Sequence, residues 1–541
     1  MLVYRDSVRR VSGEAAVHAL AASLDRGSAL EALLTAGELE CGFADLDEEL
    51  GRPAAAITDA LAGAFVFGDG EAFARARSLA AALPRPAVVE LRRPEGYAFY
   101  ALDPAAFAAL ASTLPLSLGG RVFVVGVRSI GTSLSAVVRA ALAQRGLAPE
   151  RFTVRPTGHP WDRTLELSGR LREAAEQSAR NSEFLVVDEG PGMSGSTFLA
   201  VGEALERHGV SVERVRFLGS HPVDAERLVA RDGARRWARF RMIALPARGV
   251  NAGLEDFSGG RWRARVFADP RAWPPTWAEQ ERTKHFVPER GELLKFSGYP
   301  PYQNPVLARA RALFEAGFGP RVHPDSPGFL AHAWIPGRPA CAVRDRALLL
   351  DALPRYLAFR REAFPSREAS PGALETMTRV NSTEELGVDW PVPSLPIVTP
   401  VEPDGRMQAH EWIVSGSGLS KTDGADHADD HLYPGPTDMA WDLAGAVVEW
   451  ELDEPSTRRL LRRYRRLTGD DASGRLTAYT AAYCAFRLGF ARFAERSADE
   501  QERARWARAS VLYRSRLVAA LEALGARSDP FVVSGAHHRS G

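Results

Sequence analysis

Apolar and polar positions change period along the 541 residues, and the changes mark out regions. Between 119 and about 250, short apolar runs of strand length trade with stretches of helical period. Segments 122–126, 152–155, 184–188 and 215–219 read as strands, and 136–142, 165–179 and 198–208 as helices. Strands alternating with helices predict a parallel sheet with helices on both faces. Upstream, 1–118 are Ala-rich and mostly helical in pattern. An apparent hairpin interrupts them, with apolar runs 87–91 and 97–101 around the turn 93–96. Downstream, 251–285 are rich in Gly, Pro and Trp and read as a linker. A lysine-bearing strand at 291–298, a helix around 309–318 and a strand at 328–337 follow. The stretch 454–525 is helical with Arg-rich polar faces, and 528–541 read as a loose tail.

Composition narrows the classes. The chain is too long for one ordinary domain. At 45% hydrophobic and 25% charged, with formal net charge zero, it reads as a globular protein with no global reason to bind nucleic acid. No run of membrane-spanning length and no signal-peptide pattern stand out, so a cytoplasmic location is the expectation. Cys41, Cys341 and Cys484 are isolated, which supports neither a disulfide framework nor a cysteine zinc site. Only three of the 68 Lys and Arg residues are lysines: Lys284, Lys295 and Lys421. Where Arg fills nearly every basic position, a surviving Lys points to a need for a compact ammonium.

The run 184–188 ends in two carboxylates, Asp188 and Glu189. Ser194, Gly195, Ser196 and Thr197 then lead into a helix. A small-residue loop at a helix N-terminus offers backbone N–H groups and a positive dipole end to a phosphate. Vicinal carboxylates before it suit ribose hydroxyls or a metal. The pair of features describes a sugar-phosphate site; the plain alternative is a strand, a turn and a Ser-capped helix. An earlier strand ends in Arg128, Ser129 and Gly131, another small-residue turn into a helix. Arginine's planar fork suits a diphosphate. Between these turns lie Arg155, His159 and Arg163, in a stretch that also has the composition of an ordinary turn.

This layout resembles the type I phosphoribosyltransferases. A weaker likeness, carried by the Arg128-Ser-Ile-Gly and Asp188-Glu189 segments, points to members associated with tellurite-resistance and stress gene clusters. The resemblance implies that Asp188 and Glu189 hold the ribose of phosphoribosyl pyrophosphate (PRPP). It implies that Ser194, Gly195, Ser196 and Thr197 bind the 5′-phosphate, and that Arg128, Ser129 and Gly131 bind the pyrophosphate. Arg155, His159 and Arg163 then lie on a closing loop, and 1–118 form a hood over the 119–275 domain. The segment 190–193 makes the acid-to-phosphate spacing one residue longer than the usual motif.

The second half carries different chemistry. Six carboxylates and two histidines crowd into 423–442, beginning with Asp423 and including Asp430. Such density calls for solvation or cations; oxygen ligands favour Mg²⁺, and His427 with His431 permits a transition metal. The order of Lys295, helix, strand and acidic segment resembles the aminoglycoside phosphotransferase-like and choline-kinase-like kinases. The resemblance implies a bilobal α+β domain over 285–527, with Lys295 at nucleotide phosphates, Glu315 as its helix partner, and Asp423 and Asp430 at the metal. A solvated strand end is the alternative for Lys295. The family's His-x-Asp-x₄-Asn loop has no match; Gln408-Ala-His410-Glu411 is the nearest segment.

Together these readings imply an α/β PRPP-dependent phosphoribosyltransferase fused to a kinase-like domain. It would use Mg²⁺, PRPP and ATP on small-molecule substrates. A PRPP or nucleotide sensor, and a hydrolase or lyase of a nucleotide-like metabolite, are the rival expectations. Acceptor and oligomeric state are not legible.

Overall fold

The computed structural model describes residues 1–5, 8–116, 120–178, 181–246, 253–369, 371–390, 394–416 and 418–525; the tail read at 528–541 lies outside them. The chain divides into two units. The N-terminal unit is Ser7–Gly249 with Gly298–Pro301; the C-terminal unit is Met1–Asp6, Val250–Ser297 and Tyr302–Gly541.

In the N-terminal unit, two long helices, α1 (Ala29–Leu46) and α2 (Glu48–Phe67), precede the alternating region. That region forms β1 (Arg121–Val127), α3 (Ile130–Gln144), β2 (Glu150–Val154), β3 (Ser182–Val187), α4 (Ser196–Arg207), β4 (Val215–Gly219) and β5 (Arg241–Ala244). The strands pair in the order β2-β1-β3-β4-β5, all parallel. Both faces of the central strands are covered, which is why they read as near-continuous apolar runs. Phe123, Val125, Phe184 and Val186 pack on Phe198 and Leu199 of α4, while Val137 and Ala140 of α3 join the core built by α1 and α2. The strand order reverses between β1 and β3. Ligands in open α/β sheets bind beyond the strand C-termini at such a switch point.

Two readings change here. The segment 87–101 is not a hairpin: Val89–Arg92 pairs with Val8–Val11, and Pro94 starts the helical turn Glu95–Ala98. Within this unit the long helices and the sheet are joined by ion pairs. Arg151 of β2, fully enclosed, forks onto Glu40 of α1 at 2.8 and 3.0 Å and reaches Asp59 of α2 at 2.6 Å. Helix α2 is also long and apolar enough to cross a membrane, with Ile57 and Leu61 in the core and Asp59 held by Arg151.

The C-terminal unit opens with an antiparallel sheet of β6 (Glu255–Asp256), β7 (Lys284–Val287), β8 (Glu292–Phe296), β9 (Val322–Pro324) and β10 (Phe329–Ala333), ordered β6-β7-β8-β10-β9. Helix α5 (Gln303–Glu315) crosses from β8 to β9. A helical part follows, with α6 (Arg346–Ala363), α7 (Ala440–Glu449), α8 (Ser473–Ser497) and α9 (Glu500–Ala523), plus the ribbon β11 (Trp412–Ser415) and β12 (Gly418–Lys421). Its core is aromatic: Tyr356, Trp412, Trp441, Tyr479 and Tyr483 are fully buried.

The stretch read as a linker is a structural wall of this unit. It supplies β6, and Arg263 donates to both carboxylate oxygens of Glu502 on α9 at 3.0 and 2.9 Å, while Thr276 N–H donates to the same group at 2.6 Å. Glu502→Gln keeps one acceptor oxygen, turns the other into an NH2 donor facing Arg263 and Arg505, and removes the charge that both face. It is expected to cost about 1–3 kcal/mol, read as a lower urea midpoint with unchanged secondary structure.

Candidate functional site

At the switch point of the N-terminal unit, the ends of β1 and β3 meet. Gly131 lies so close to Val187 that a Cβ would stand 2.3 Å from the Val187 carbonyl oxygen. Its N–H bonds the Asp188 carboxylate, which also accepts from Glu189 N–H at 2.9 Å. Ser129 holds φ +104°, an uncommon backbone state for a residue with a side chain, at the start of α3. Strain of this kind persists only where surrounding structure imposes it.

Neither Asp188 nor Glu189 forms an ion pair among the described residues. Burial pushes Asp188 up to about 7, against its two N–H bonds and the charges of Arg155 and Arg163. Burial, then the neighbouring Asp188 and Glu95 charges, push Glu189 up to about 8. Gly96 makes room for this carboxylate: a Cβ there would lie 2.9 Å from Glu189 Cδ and Oε2. Gly96→Ala is therefore expected to cost about 1–3 kcal/mol through overpacking, measured as a fall in Tm.

The other expected groups are placed differently. Arg128 is turned away to Asp45 of α1 at 3.2 Å and to the Ala44 carbonyl at 3.0 Å. Arg155 donates to the same Asp45 at 2.7 Å and to Cys41 Sγ at 2.8 Å. One helix carboxylate thus occupies both Arg128, expected at the pyrophosphate, and Arg155, expected on the closing loop. His159 and Arg163 sit on a two-stranded ribbon, Thr157–His159 with Asp162–Thr164. Its tip covers the hydroxyl loop: Ser194 and Ser196 both donate to the Pro160 carbonyl, at 3.0 and 2.7 Å. Gly195 starts α4 with φ +70°, and Thr197 lies in its first turn.

In the C-terminal unit, Lys295 of β8 is buried. Its Nζ lies 2.6 Å from Asp423 Oδ1 and 3.0 Å from Asp426 Oδ2. Glu315 is exposed at the end of α5, so the lysine's acidic partners come from the 423–426 turn instead. That turn also gathers His427, and ligand atoms of Asp423, Asp426 and His427 lie within 4.8 Å of one another. Against burial, the Lys295 and His427 charges hold Asp423 well below the carboxylate range. Burial and Arg406 oppose a charged imidazole, but Asp423 and Asp404 raise His427 to about 9. Asp430 does not join this group; its carboxylate turns to His431, 2.7 Å from Nδ1. His431 stacks on Tyr4, so the two histidines do not share a face.

A carboxylate that sequence reading missed is Asp404. Its N–H and that of Gly405 donate to Asp442 on α7 at 2.7 and 2.9 Å, so Asp442 fixes this turn. The Asp404 carboxylate accepts from Tyr356 OH at 2.5 Å and faces Lys421 Nζ at 3.4 Å. Burial would raise it, but Lys421, His427 and Arg360 hold it at about 2. Lys421 also bonds Glu411 at 2.5 Å, which places two of the three lysines among carboxylates of this site. The Pro403-Asp-Gly405 turn was the available signal, lacking the flanking residues that would mark it.

Lys295, Asp423 and Glu411 line a cavity of about 300 Å³ within this unit. Its walls include Trp334 and Ile335 after β10, Trp262 and Trp277 from the former linker, and Arg487 and Trp506 from α8 and α9.

No family model matches the chain, and no curated protein matches it in sequence. Solved structures do resemble it. The choline kinase LicA from Streptococcus pneumoniae is 14% identical, with TM-score 0.32 over 45% of this chain and 90% of its own. A choline/ethanolamine kinase family protein from Mesorhizobium loti is 19% identical, with TM-score 0.29 over 49% of this chain and 98% of its own. A thermostable mutant of the aminoglycoside phosphotransferase APH(4)-Ia is 11% identical, with TM-score 0.28 over 46% of this chain and 92% of its own.

Proposed function

We propose that the C-terminal unit transfers a phosphoryl group from a nucleotide to a small molecule. The observation that carries this reading is the Lys295 ammonium between Asp423 and Asp426 on the wall of an aromatic cavity. A compact ammonium suits nucleotide phosphates. The donor set of Asp423, Asp426 and His427 fits a divalent cation. Such a cation supplies neutralisation of phosphate charge; the protein's part is positioning and electrostatics. Trp334 and Ile335 offer a wall for a planar ring. In transfer, the acceptor oxygen bonds phosphorus, the bond to the leaving diphosphate breaks, and the acceptor proton passes to one of the carboxylates gathered around Lys421, Asp404 or Glu411. An ADP-release assay on the full chain with Mg²⁺, ATP and a panel of small hydroxyl compounds tests this. Release that depends on acceptor and is lost in Asp423→Asn supports the reading. Release unchanged in that variant counts against it.

A second reading belongs to the N-terminal unit and rests on Asp188 and Glu189, half-buried at a switch point with no cationic partner among the described residues. They would hold the ribose of PRPP with Mg²⁺, with the Ser194–Thr197 loop at the 5′-phosphate. Binding there would require the Pro160 carbonyl to leave Ser194 and Ser196. The same geometry serves a PRPP sensor, and pyrophosphate release separates the two.

A further inference from the structure

The cavity of the C-terminal unit carries more positive than negative charge: five basic side chains line it against three acidic ones. Four of the five have partners. Lys295 faces Asp423 and Asp426, Lys284 lies 3.6 Å from Glu281, Arg265 3.7 Å from Glu255, and Arg487 3.7 Å from Glu449. Arg406 is the exception. Its backbone N–H bonds Asp404, but its guanidinium makes no hydrogen bond or ion pair among the described residues. It is half-buried, two residues beyond Asp404 on the turn fixed by Asp442.

The neighbouring histidines report the resulting field. Burial, then the charges of Lys421, Arg487 and Arg406, lower His410 to about 3. Burial and Lys295 lower His332 to about 4. Both imidazoles are therefore neutral at pH 7. The charges of Glu281 and Asp430 act on Arg406 without bonding it, so its planar fork stays unfilled, a fork that a phosphate or carboxylate matches. Beside it, His410 stacks on Trp262 with centroids 5.9 Å apart, and Trp277, Phe490 and Trp506 form a continuous aromatic wall.

We propose that Arg406 receives an anionic group of the acceptor, so that the small molecule taken by this cavity is a phosphate ester rather than an amine. The inference deepens the phosphotransfer reading and rests on it for the word acceptor; the anion site itself does not.

Calorimetric titration of the full chain with glycerol 3-phosphate, glycerol and choline, with and without saturating Mg·ADP, tests it. Arg406→Gln leaves no carboxylate orphaned, and Arg406→Lys restores the charge without the fork. The expected result is glycerol 3-phosphate binding that weakens at least tenfold in Arg406→Gln, with Arg406→Lys intermediate. Glycerol and choline do not bind, and Mg·ADP affinity is unchanged. Glycerol 3-phosphate binding unaffected by Arg406→Gln overturns the proposal, as does choline binding. A tenfold loss of Mg·ADP affinity in Arg406→Gln with the ester unaffected reassigns the residue to the nucleotide and also overturns it. If Mg·ADP does not bind the wild-type chain while the Arg406-dependent ester signal stands, the phosphotransfer reading fails and the anion site survives.

Discussion

Lys295→Met is expected to destabilise the C-terminal unit by about 3–5 kcal/mol. The methionine keeps the length of the side chain and removes its charge. Asp423 and Asp426 then face each other in the interior without the ammonium that now lies 2.6 and 3.0 Å from them. Removing one partner of a buried ion pair costs more than the pair itself contributes; His427, 3.5 Å from Asp423, and Arg282, 3.8 Å from Asp426, offset only part of it. Asp426→Asn added to the same chain removes one of the two facing carboxylate charges and is expected to recover part of the loss. Urea unfolding followed by tryptophan fluorescence measures both, fitted as separate transitions because the chain has two units. A Lys295→Met chain within about 1 kcal/mol of wild type, well below the cost of an orphaned buried charge, would contradict the burial and pairing described here. Placing Mg²⁺ in the medium sharpens the test. A cation held by Asp423, Asp426 and His427 substitutes for the lost ammonium and raises the variant's midpoint more than the wild type's.

The second large effect concerns pH. Asp188 moves from 3.8 to about 7 on folding and Glu189 from 4.5 to about 8. Both shifts are upward, so between these limits the folded chain holds protons that the unfolded chain has released. Stability is then greatest below about pH 4 for these two groups and is lost as pH rises toward 8. The slope is at most about 1.4 kcal/mol per pH unit per group; the solvent that still reaches both carboxylates reduces it. The N-terminal unit of the wild type is therefore expected to melt at a lower temperature at pH 8 than at pH 6. The Asp188→Asn/Glu189→Gln chain, which cannot ionise there, is expected to be flatter and to overtake the wild type at pH 8. On the second reading proposed for this unit, Mg²⁺ with PRPP would supply the missing positive charge, and ligand stabilisation of the wild type would then grow with pH. Parallel pH profiles for the two chains would show that the pair is not held uncharged by burial.

The parts of this structure that were legible in the sequence are those written in local patterns. The runs at 122–126, 184–188 and 215–219 carry their own period and end in Gly, Asp or small residues, so strands and loops were placed together. Strand β5, Arg241–Ala244, is short and half-exposed, and its register comes from β4 rather than from any alternation of its own. The wall 253–284 has the Gly, Pro and Trp content of a connector. It holds its place through Glu502, more than two hundred residues away, which no local pattern announces.

The same limit explains the sites. Asp188 and Glu189 sit where the strand puts them, whereas Arg128 and Arg155 were read as free for a ligand because Asp45 lies on a distant helix. Lys295 stood out by its rarity, but its partners, Asp423 and Asp426, come from a turn more than a hundred residues on, while Glu315 has the right helix and the wrong end. Asp404 became visible only through its backbone contact with Asp442.

The most direct test of the central claim is a calorimetric titration of Mg·ATP into the full chain and into Asp423→Asn. The account predicts one site in the wild type, dependent on the divalent cation, whose affinity falls at least tenfold in the variant. A wild-type chain that binds no Mg·ATP, or a variant that binds it equally well, would contradict the assignment of the Lys295–Asp423 cavity to nucleotide phosphotransfer.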